Sequence, residues 1–405
     1  MNSKKIGLYL SALRKYYKIT QEELASRLQV SRQAISKWET GASIPDIAML
    51  LKLSEIYDIT INEILKADLD SLRKRKKIHF QKKERAAHRV FVVGCGRWGS
   101  FLSWYLDRIG HHVCLYGRKG SLNLARLRKT RRNDQIRLPE SIVLSDDLQG
   151  AKEADILIIS VSAQQLRSVA EALLTLGIEG KRIVLCMKGL EIEGGRRLSQ
   201  VVSDILPESN RIAVWLGPGH VQEFYKGVPN CMVIDSTDEF LKDELIRLFS
   251  SDLIRFYYGT DLIGNEIGAA AKNVIGIAAG MLEGAGRSSL KGALMARGTR
   301  EISELIAAMG GKSMSAYGLC HLGDYEATLF SAHSQNLAFG KSVVEKTPYT
   351  KLAEGYYTVK ALHNLSKAYG VELPICDAVY RILYEGADAL MALEQLFDRS
   401  LKNEF

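Results

Sequence analysis

Over residues 6–66 the apolar positions recur every three or four residues in short bursts broken by polar turns, the period of small amphipathic helices. Residues 6–17 place Leu10, Leu13 and Tyr17 on one face. Thr20 then precedes Gln21-Glu22-Glu23-Leu24, and a hydroxyl followed three residues later by glutamate predicts a capping box opening a helix over 21–28. Ser31 caps a third helix over 32–39, which Gly41 and Pro45 close. Two more helices are predicted over 46–57 and 61–66. From 68 to 88 the period vanishes and Arg73-Lys74-Arg75-Lys76-Lys77 and Lys82-Lys83 dominate, the pattern of a solvated basic linker.

At residue 89 the pattern changes to continuous apolar runs of the buried parallel-strand kind. Arg89-Val90-Phe91-Val92-Val93 runs into Gly94-Cys95-Gly96-Arg97-Trp98-Gly99, a helix over 100–109 and a second strand over 113–116. Further strands fall at 155–161, 182–187, 212–216 and 231–234, in the alternation of a doubly wound α/β sheet. A GxGxxG between a strand and a helix predicts a dinucleotide site. Gly94 makes the tight turn, Gly96 admits the pyrophosphate to the backbone, and Gly99 allows close helix packing. The second strand ends in Gly117-Arg118-Lys119, where cations suit a ribose 2′-phosphate, so NADP(H) is favoured or admitted beside NAD(H). The bland alternative is that Arg118 and Lys119 are exposed loop charges. Ligands bind at the carboxyl ends of such strands, where Lys188-Gly189-Leu190-Glu191 and Gly217-Pro218-Gly219-His220 stand.

After the last strand the period returns to that of helices, predicting an all-α domain over 259–405. Its opening stretch, residues 264–280, is rich in Ala and Gly with Lys272 in the middle. Small residues let another backbone or a ligand come close. A poorly solvated lysine there has a lowered pKa and becomes a candidate acid/base group. Equally, such a lysine snorkels to water from a buried helix.

Charge divides the chain unevenly. Residues 1–88 carry 18 Lys+Arg against 10 Asp+Glu, and the other 317 residues carry 37 against 36, so nearly all of the net charge of +9 lies in the first fifth. That asymmetry predicts an amino-terminal module that meets a polyanion. The apolar fraction of 46% is that of a globular protein, and no run of about 18 apolar residues predicts a membrane span. Six scattered cysteines without a CxxC pair or a histidine ligand pattern predict free thiols in a reducing cytoplasm and no metal site.

Two stretches resemble known families. Thr20-Gln21-Glu22-Glu23-Leu24-Ala25, then Val30-Ser31-Arg32-Gln33-Ala34-Ile35-Ser36-Lys37-Trp38-Glu39-Thr40-Gly41 and Pro45-Asp46, resemble the Cro/lambda-repressor-like helix-turn-helix family over about residues 5–67. The resemblance implies double-stranded DNA as a partner, with Arg32, Gln33 and Ser36 reading bases and Gln21 and Lys37 on phosphates. It also implies a homodimer, since such domains act as pairs on two half-sites. The alternative is a helical interaction module without DNA binding.

From about residue 89 to 393 the chain resembles the bacterial NAD(P)-dependent glycerol-3-phosphate dehydrogenases. The likeness rests on Gly94 to Gly99, residues 187–191, Gly217-Pro218, Gly227-Val228-Pro229 and residues 266–280. It continues through residues 293–298, Gly318-Leu319, Leu322-Gly323-Asp324, Ser334-Gln335-Asn336, Phe339-Gly340 and Glu354-Gly355-Tyr356. It implies Lys272 as proton donor and acceptor at the carbon that exchanges hydride, Lys188 as a second lysine, and Asp324 beside them. Gly217, Gly219, Asn273, Thr328, Ser334, Gln335 and Asn336 fall at substrate positions. Arg97, Trp98, Arg118, Lys188, Val221, Leu352 and Glu354 fall at cofactor positions. The substrate implied is dihydroxyacetone phosphate or glycerol 3-phosphate, with NADP(H) or NAD(H).

Two positions depart from that pattern. Gln335 stands where an arginine is expected to hold the substrate phosphate, and the loss of such a charge-assisted contact costs roughly 1.5–3 kcal/mol. Gly219 stands where a small polar residue is usual. Residues 126–139 are also unusually basic; they supply a cation to the site or are solvated, and solvation is the expectation. The expected organisation is a helix-turn-helix domain (1–67), a linker (68–88), a Rossmann domain (89–258) and a helical substrate domain (259–405). A second reading remains open: a transcriptional regulator whose degenerate dehydrogenase body senses NAD(P)H or a triose phosphate.

Overall fold

The computed structural model describes residues 3–16, 19–57, 59, 61–67, 87–331 and 333–396. The chain forms two compact units, Met1–Ala86 and Ala87–Phe405.

In the first unit five helices, α1 (Ser3–Tyr16), α2 (Gln21–Leu28), α3 (Arg32–Thr40), α4 (Ile47–Tyr57) and α5 (Ile61–Lys66), enclose a core that includes Leu10, Leu13, Leu24, Leu28, Ile35, Leu53 and Ile64. The capping box forms both ways: Glu23 N donates to Thr20 Oγ1 at 3.1 Å and Thr20 N to Glu23 Oε2 at 2.7 Å. Gly41, at φ 76°, closes α3. Helix α1 begins three residues before the predicted start, because its first turn carries Lys4 and Lys5 on the exposed side, where no apolar period marks it. Tyr17 and the linker up to residue 86 lie outside the described residues. The sequence reading missed a clamp between α1 and α3: the Arg14 guanidinium donates to both oxygens of buried Glu39, at 2.6 and 3.0 Å.

The second unit is built on an eight-stranded sheet of β1 (Arg89–Val93), β2 (His112–Tyr116), β3 (Val143–Ser145), β4 (Ile156–Ile159), β5 (Arg182–Leu185), β6 (Arg211–Leu216), β7 (Asn230–Asp235) and β8 (Ile254–Tyr258). Their order is β3-β2-β1-β4-β5-β6-β7-β8, so the winding reverses between β1 and β4. A crevice opens at that point, outside the carboxyl ends of the strands. Neighbours pair in parallel except β6 and β7, which are antiparallel. Strands β1, β4, β5 and β6 have their central residues buried on both faces, which is why they read as unbroken apolar runs. The edge strands β3 and β8 were not predicted: β3 has three residues with Val143 exposed, and β8 exposes Arg255, Tyr257 and Tyr258.

Helix α6 (Arg97–Arg108) follows β1 and starts three residues earlier than predicted, with Gly96 as its cap. Gly99 lies inside its first turn, where a β-carbon would sit 1.8 Å from Gly94 O, so close packing outweighs glycine's poor helix propensity. Helices α7 (Leu122–Thr130), α8 (Leu166–Thr175), α9 (Leu198–Ile205), α10 (Val221–Tyr225) and α11 (Glu239–Phe249) accompany the sheet.

An all-helical portion follows: α12 (Leu262–Gly284), α13 (Lys291–Ala308), α14 (Gln335–Glu345), α15 (Glu354–Tyr369), α16 (Pro374–Tyr384) and α17 (Ala389–Gln395). Helix α12 is its axis. It runs 23 residues and is buried almost throughout. Its small residues admit α14 to van der Waals range of the backbone. A β-carbon on Gly280 would lie 2.0 Å from Leu337 O, and one on Gly340 would lie 2.0 Å from Ile277 O. That reciprocal approach holds the start of α14 against the middle of α12.

Candidate active site

The glycine-rich loop opens the site. Gly94 has φ 114°, a left-handed conformation that favours glycine, and a β-carbon there would lie 2.2 Å from Ser160 O. A β-carbon on Gly96 would meet nothing within 4 Å, so the space in front of the first turn of α6 is open. Open backbone amides at a helix start suit a pyrophosphate, and a dinucleotide therefore fits this loop. The loop forms one wall of a cleft of about 400 Å³ whose other walls come from the carboxyl ends of β4 to β6, from α12, and from residues 324–336 and 352–354.

Lys272 reaches the floor of this cleft from the middle of α12, 6% exposed. Its Nζ lies 2.8 Å from Asp324 Oδ2 and donates to Thr328 Oγ1 at 2.8 Å. Lys188, on the loop after β5, donates to the same Asp324 oxygen at 2.5 Å and to Gly217 O at 2.7 Å. Asp324 is fully buried, and its Oδ1 has no partner among the described residues. Burial pushes the Lys272 ammonium down to about 7; Asp324 opposes that fall and the like charge of Lys188 adds to it. An amine at that value gives and takes a proton near neutrality. Lys272 turns into the cleft and does not run out along the helix to the outer surface.

A ladder of amides forms the next layer. Asn273 Nδ2 donates to Lys188 O at 3.3 Å, Asn336 Nδ2 donates to Asn273 Oδ1 at 3.0 Å, and Gly355 N donates to Asn336 Oδ1 at 3.0 Å. Ser334 caps α14 by accepting from Leu337 N at 3.2 Å. Glu354 lines the opposite side. Its Oε2 is buried without a described partner, and burial raises its carboxyl to about 7.

Among the residues expected at the site, Gly96, Arg97, Trp98, Lys188, Gly219, Val221, Lys272, Asn273, Asp324, Thr328, Ser334, Gln335, Asn336, Leu352 and Glu354 all line this one cleft. Gly94 and Gly99 support its loop from behind, and Gly217 meets Lys188 through its carbonyl. Arg118 is exposed and does not line the cleft. The basic stretch is engaged elsewhere: Arg126 pairs with Asp134 at 2.6 Å, Arg128 with Asp146 at 2.7 Å, and Arg131 donates to Ile142 O at 2.7 Å.

Residues 89–241 match the family model described as NAD-dependent glycerol-3-phosphate dehydrogenase N-terminus, and residues 261–394 match the C-terminus of the same enzyme. The glycerol-3-phosphate dehydrogenase (NAD(P)+) of Pelodictyon phaeoclathratiforme is 33% identical over 330 residues, spanning 78% of this chain and 99% of that protein. The chain belongs to the NAD-dependent glycerol-3-phosphate dehydrogenase family. The enzyme of the same name from Fusobacterium nucleatum is 35% identical over 330 residues, again 78% of this chain and 98% of its own. A solved glycerol-3-phosphate dehydrogenase from Coxiella burnetii superposes with a TM-score of 0.73 at 28% identity, covering 77% of this chain and 99% of that one. Residues 10–64 match a helix-turn-helix model. These relatives are covered nearly end to end, so this chain carries a part that the match leaves out.

Set against the glycerol-3-phosphate dehydrogenase pattern, the structure gives one departure a physical account. A β-carbon on Gly219 would sit 2.7 Å from Phe224 and 3.3 Å from Trp98, so these rings fill the space a side chain would need. Gln335 keeps its place on the cleft wall, with Oε1 accepting from Tyr349 OH at 2.9 Å. Sequence reasoning missed three supports of the site. His321 Nδ1 lies 2.8 Å from Gly268 O and its Nε2 lies 2.7 Å from Tyr325 OH, fully buried behind Asp324. Buried Glu266 joins α12 to the start of α9 through Arg197, at 2.6 Å, and Ser199. Tyr349 holds Gln335. All three act through contacts distant in sequence, so only the polarity of Glu266 within an apolar helix was visible beforehand.

In the helix-turn-helix unit, Arg32, Gln33 and Lys37 are exposed along one run of α3 and Ser36 is half-buried between them. Gln21 Nε2 donates to Glu39 Oε2 at 2.8 Å, which fixes the side chain at the start of α2.

Proposed function

We propose that this chain catalyses the reversible, NAD(P)(H)-dependent interconversion of dihydroxyacetone phosphate and sn-glycerol 3-phosphate, and that its amino-terminal unit binds double-stranded DNA in a sequence-specific manner. The observation that carries the enzymatic reading is the group of Lys272, Asp324 and Lys188 on the floor of the cleft, with the Lys272 amine held at about 7.

The cofactor would be held by the loop Gly94, Gly96 and Gly99, flanked by the cleft residues Arg97, Trp98, Val221, Leu352 and Glu354, while Arg118, exposed after β2 and outside the cleft lining, would reach only a ribose 2′-phosphate that extends beyond it. When bound, its nicotinamide supplies or accepts the hydride. The remaining work falls to side chains of this chain. The Lys272 ammonium donates to the substrate's carbonyl oxygen, polarises it and delivers the proton as the alcohol forms. Asp324 favours the charged form of that amine and fixes its position, while Lys188 ties the carboxylate to Gly217. Asn273, Thr328, Ser334, Gln335 and Asn336 surround the substrate, and burial of Lys272 keeps water from competing for the proton.

The division into residues 1–67, 89–258 and 259–405 is part of this reading, as are a homodimer and a cytoplasmic location. The dimer follows from the two half-sites that a helix-turn-helix unit serves. The six unpaired thiols suit a reducing compartment, and among the described residues no helix is long and apolar enough to cross a membrane. A second reading is favoured by Gln335 and the exposed face of α3: a regulator that binds NAD(P)H or a triose phosphate without turnover. Purified protein mixed with NADPH and dihydroxyacetone phosphate separates the two. Oxidation of NADPH dependent on the triose phosphate supports the enzyme, whereas NADPH binding without oxidation transfers the case to the regulator.

A further inference from the structure

His321 is a fully buried imidazole in the stretch after α13, and the proton-transfer scheme above gives it no part. It does not line the cleft. Its slot is built on both sides. A β-carbon on Gly268 would sit 2.9 Å from His321 Cβ, so only glycine lets the stem of the ring lie this close to α12. On the other side the Tyr325 ring meets the imidazole edge-on, centroids 4.8 Å apart. A β-carbon on Gly298 would lie 3.4 Å from the Tyr325 hydroxyl, so α13 leaves that hydroxyl its room.

Both ring nitrogens are engaged. Nδ1 lies 2.8 Å from Gly268 O, which only accepts, so Nδ1 carries the hydrogen. Nε2 is then the acceptor, and the Tyr325 hydroxyl donates to it at 2.7 Å. By the geometry of an α-helix, Gly268 O also receives the main-chain N–H of Lys272. The imidazole therefore holds the carbonyl that closes the turn of α12 ending at Lys272. Its own main-chain oxygen receives Asp324 N at 3.0 Å, and Tyr325 O receives Thr328 N at 3.0 Å. One ring thus joins the backbone of Lys272 to the two residues that its amine meets, Asp324 and Thr328. The Asp324 carboxylate needs such a frame. Its Oδ1 has no partner among the described residues, and Oδ2 is held only by Lys188 and Lys272. An ammonium on a flexible stem is a point charge that sets direction poorly, so the aim of the carboxylate falls to the main chain that carries it.

We infer that His321 is a positioning residue for proton transfer: held between Gly268 O and the Tyr325 hydroxyl, its imidazole sets the Asp324 turn on α12 and so keeps the Asp324 carboxylate on the Lys272 amine. The inference rests on the acid role proposed for Lys272. The charged groups acting on that amine are Asp324 and Lys188, and both reach it through the Asp324 turn that His321 holds. It also gives a use to a polar pair in an apolar core, where two apolar side chains of the same shape would cost the fold little.

The test replaces both polar partners in the full chain, His321→Leu together with Tyr325→Phe, because removing a buried donor and its acceptor at once leaves neither unsatisfied. The readout is the pH profile of kcat for dihydroxyacetone phosphate reduction. The plateau falls about ten- to a hundredfold, the scale of a misplaced catalytic group. The falling limb moves to lower pH, since a carboxylate that drifts from the amine favours the ammonium less. NADPH affinity is unchanged. With Asp324→Asn already in place, the same pair of substitutions moves the limb no further. Tyr325→Phe alone keeps the tie to Gly268 and gives a smaller change in the same direction. A lowered melting temperature with the limb in place makes His321 a core residue only and overturns the assignment, as does a further limb shift in the Asp324→Asn protein. If the doubly substituted chain does not fold, Tyr325→Phe decides, and an unmoved limb or a second failure to fold overturns the assignment. An unsubstituted chain without turnover, or without the limb, is a different result: it removes the acid role of Lys272, and the inference with it.

Discussion

Lys272 Nζ lies 2.8 Å from Oδ2 of Asp324, the oxygen that also receives Lys188. One carboxylate therefore serves two ammonium groups, of which the deeper has its proton affinity brought to about 7 by burial. The role proposed for this arrangement is that a proton leaves Lys272. Lys272→Ala is expected to lower kcat for dihydroxyacetone phosphate reduction by about 10²–10⁴, the range for removing a positioned general acid. NADPH affinity, read by fluorescence titration, stays the same because the glycine-rich loop is untouched. A parallel loss of NADPH binding would mark the lysine as structural.

Gln335 offers a neutral donor where a guanidinium would add charge. Gln335→Arg is expected to lower KM for dihydroxyacetone phosphate by about one to two decades, from the 1.5–3 kcal/mol worth of a charge-assisted contact. The kcat value is expected to hold, because the proposed proton transfer is at Lys272. Steady-state kinetics decide the matter, and an unchanged KM would place the phosphate away from this wall.

His321 is buried neutral, with burial pushing its imidazole down to about 4. Gly268 O accepts from Nδ1, so Nε2 accepts from the Tyr325 hydroxyl. The unfolded chain takes up a proton near the ordinary imidazole value of 6.5, and the folded chain does so only near 4. Stability is therefore present above 6.5 and is lost as pH falls through that window, by about 3 kcal/mol in all. Denaturant titrations of the dehydrogenase unit at several pH values should show that loss, and His321→Gln should flatten it. Curves that fall in parallel for both proteins would assign the acid sensitivity to other groups.

DNA affinity is expected to fall steeply with salt, because Lys37 and its basic neighbours release counterions on contact with phosphates. Lys37→Ala should reduce the salt slope by about one, and Arg32→Ala should weaken binding chiefly to the preferred site. Gel-shift titrations with the DNA upstream of the chain's own gene measure both. Absence of any retarded band would remove the DNA-binding reading.

The unbroken runs of β1, β4, β5 and β6, the GxGxxG and the capping box at Thr20 were legible because each is a local pattern with a local cause. The edge strands β3 and β8 were not: β3 is too short to show a period, and β8 exposes three of its five side chains. The antiparallel entry of β7 depends on pairing that no local pattern records. At the site, Lys272 stood out as the cation within a small-residue helix, and the role proposed for it came through family resemblance. Its partners Asp324 and Thr328 are far away in sequence, on the other side of α13. The reciprocal close approach of Gly280 and Gly340 explains the alanine and glycine content that marked α12 from the start.

The central claim is that Lys272, tuned by Asp324, is the proton donor. The pH dependence of kcat for dihydroxyacetone phosphate reduction tests it most directly. Reduction needs the ammonium form, so kcat should be level below about 7 and fall tenfold per pH unit above it. Asp324→Asn removes the anion that favours that form and should move the falling limb to lower pH. A profile without a limb in this region, or a limb that stays in place in Asp324→Asn, would contradict the account.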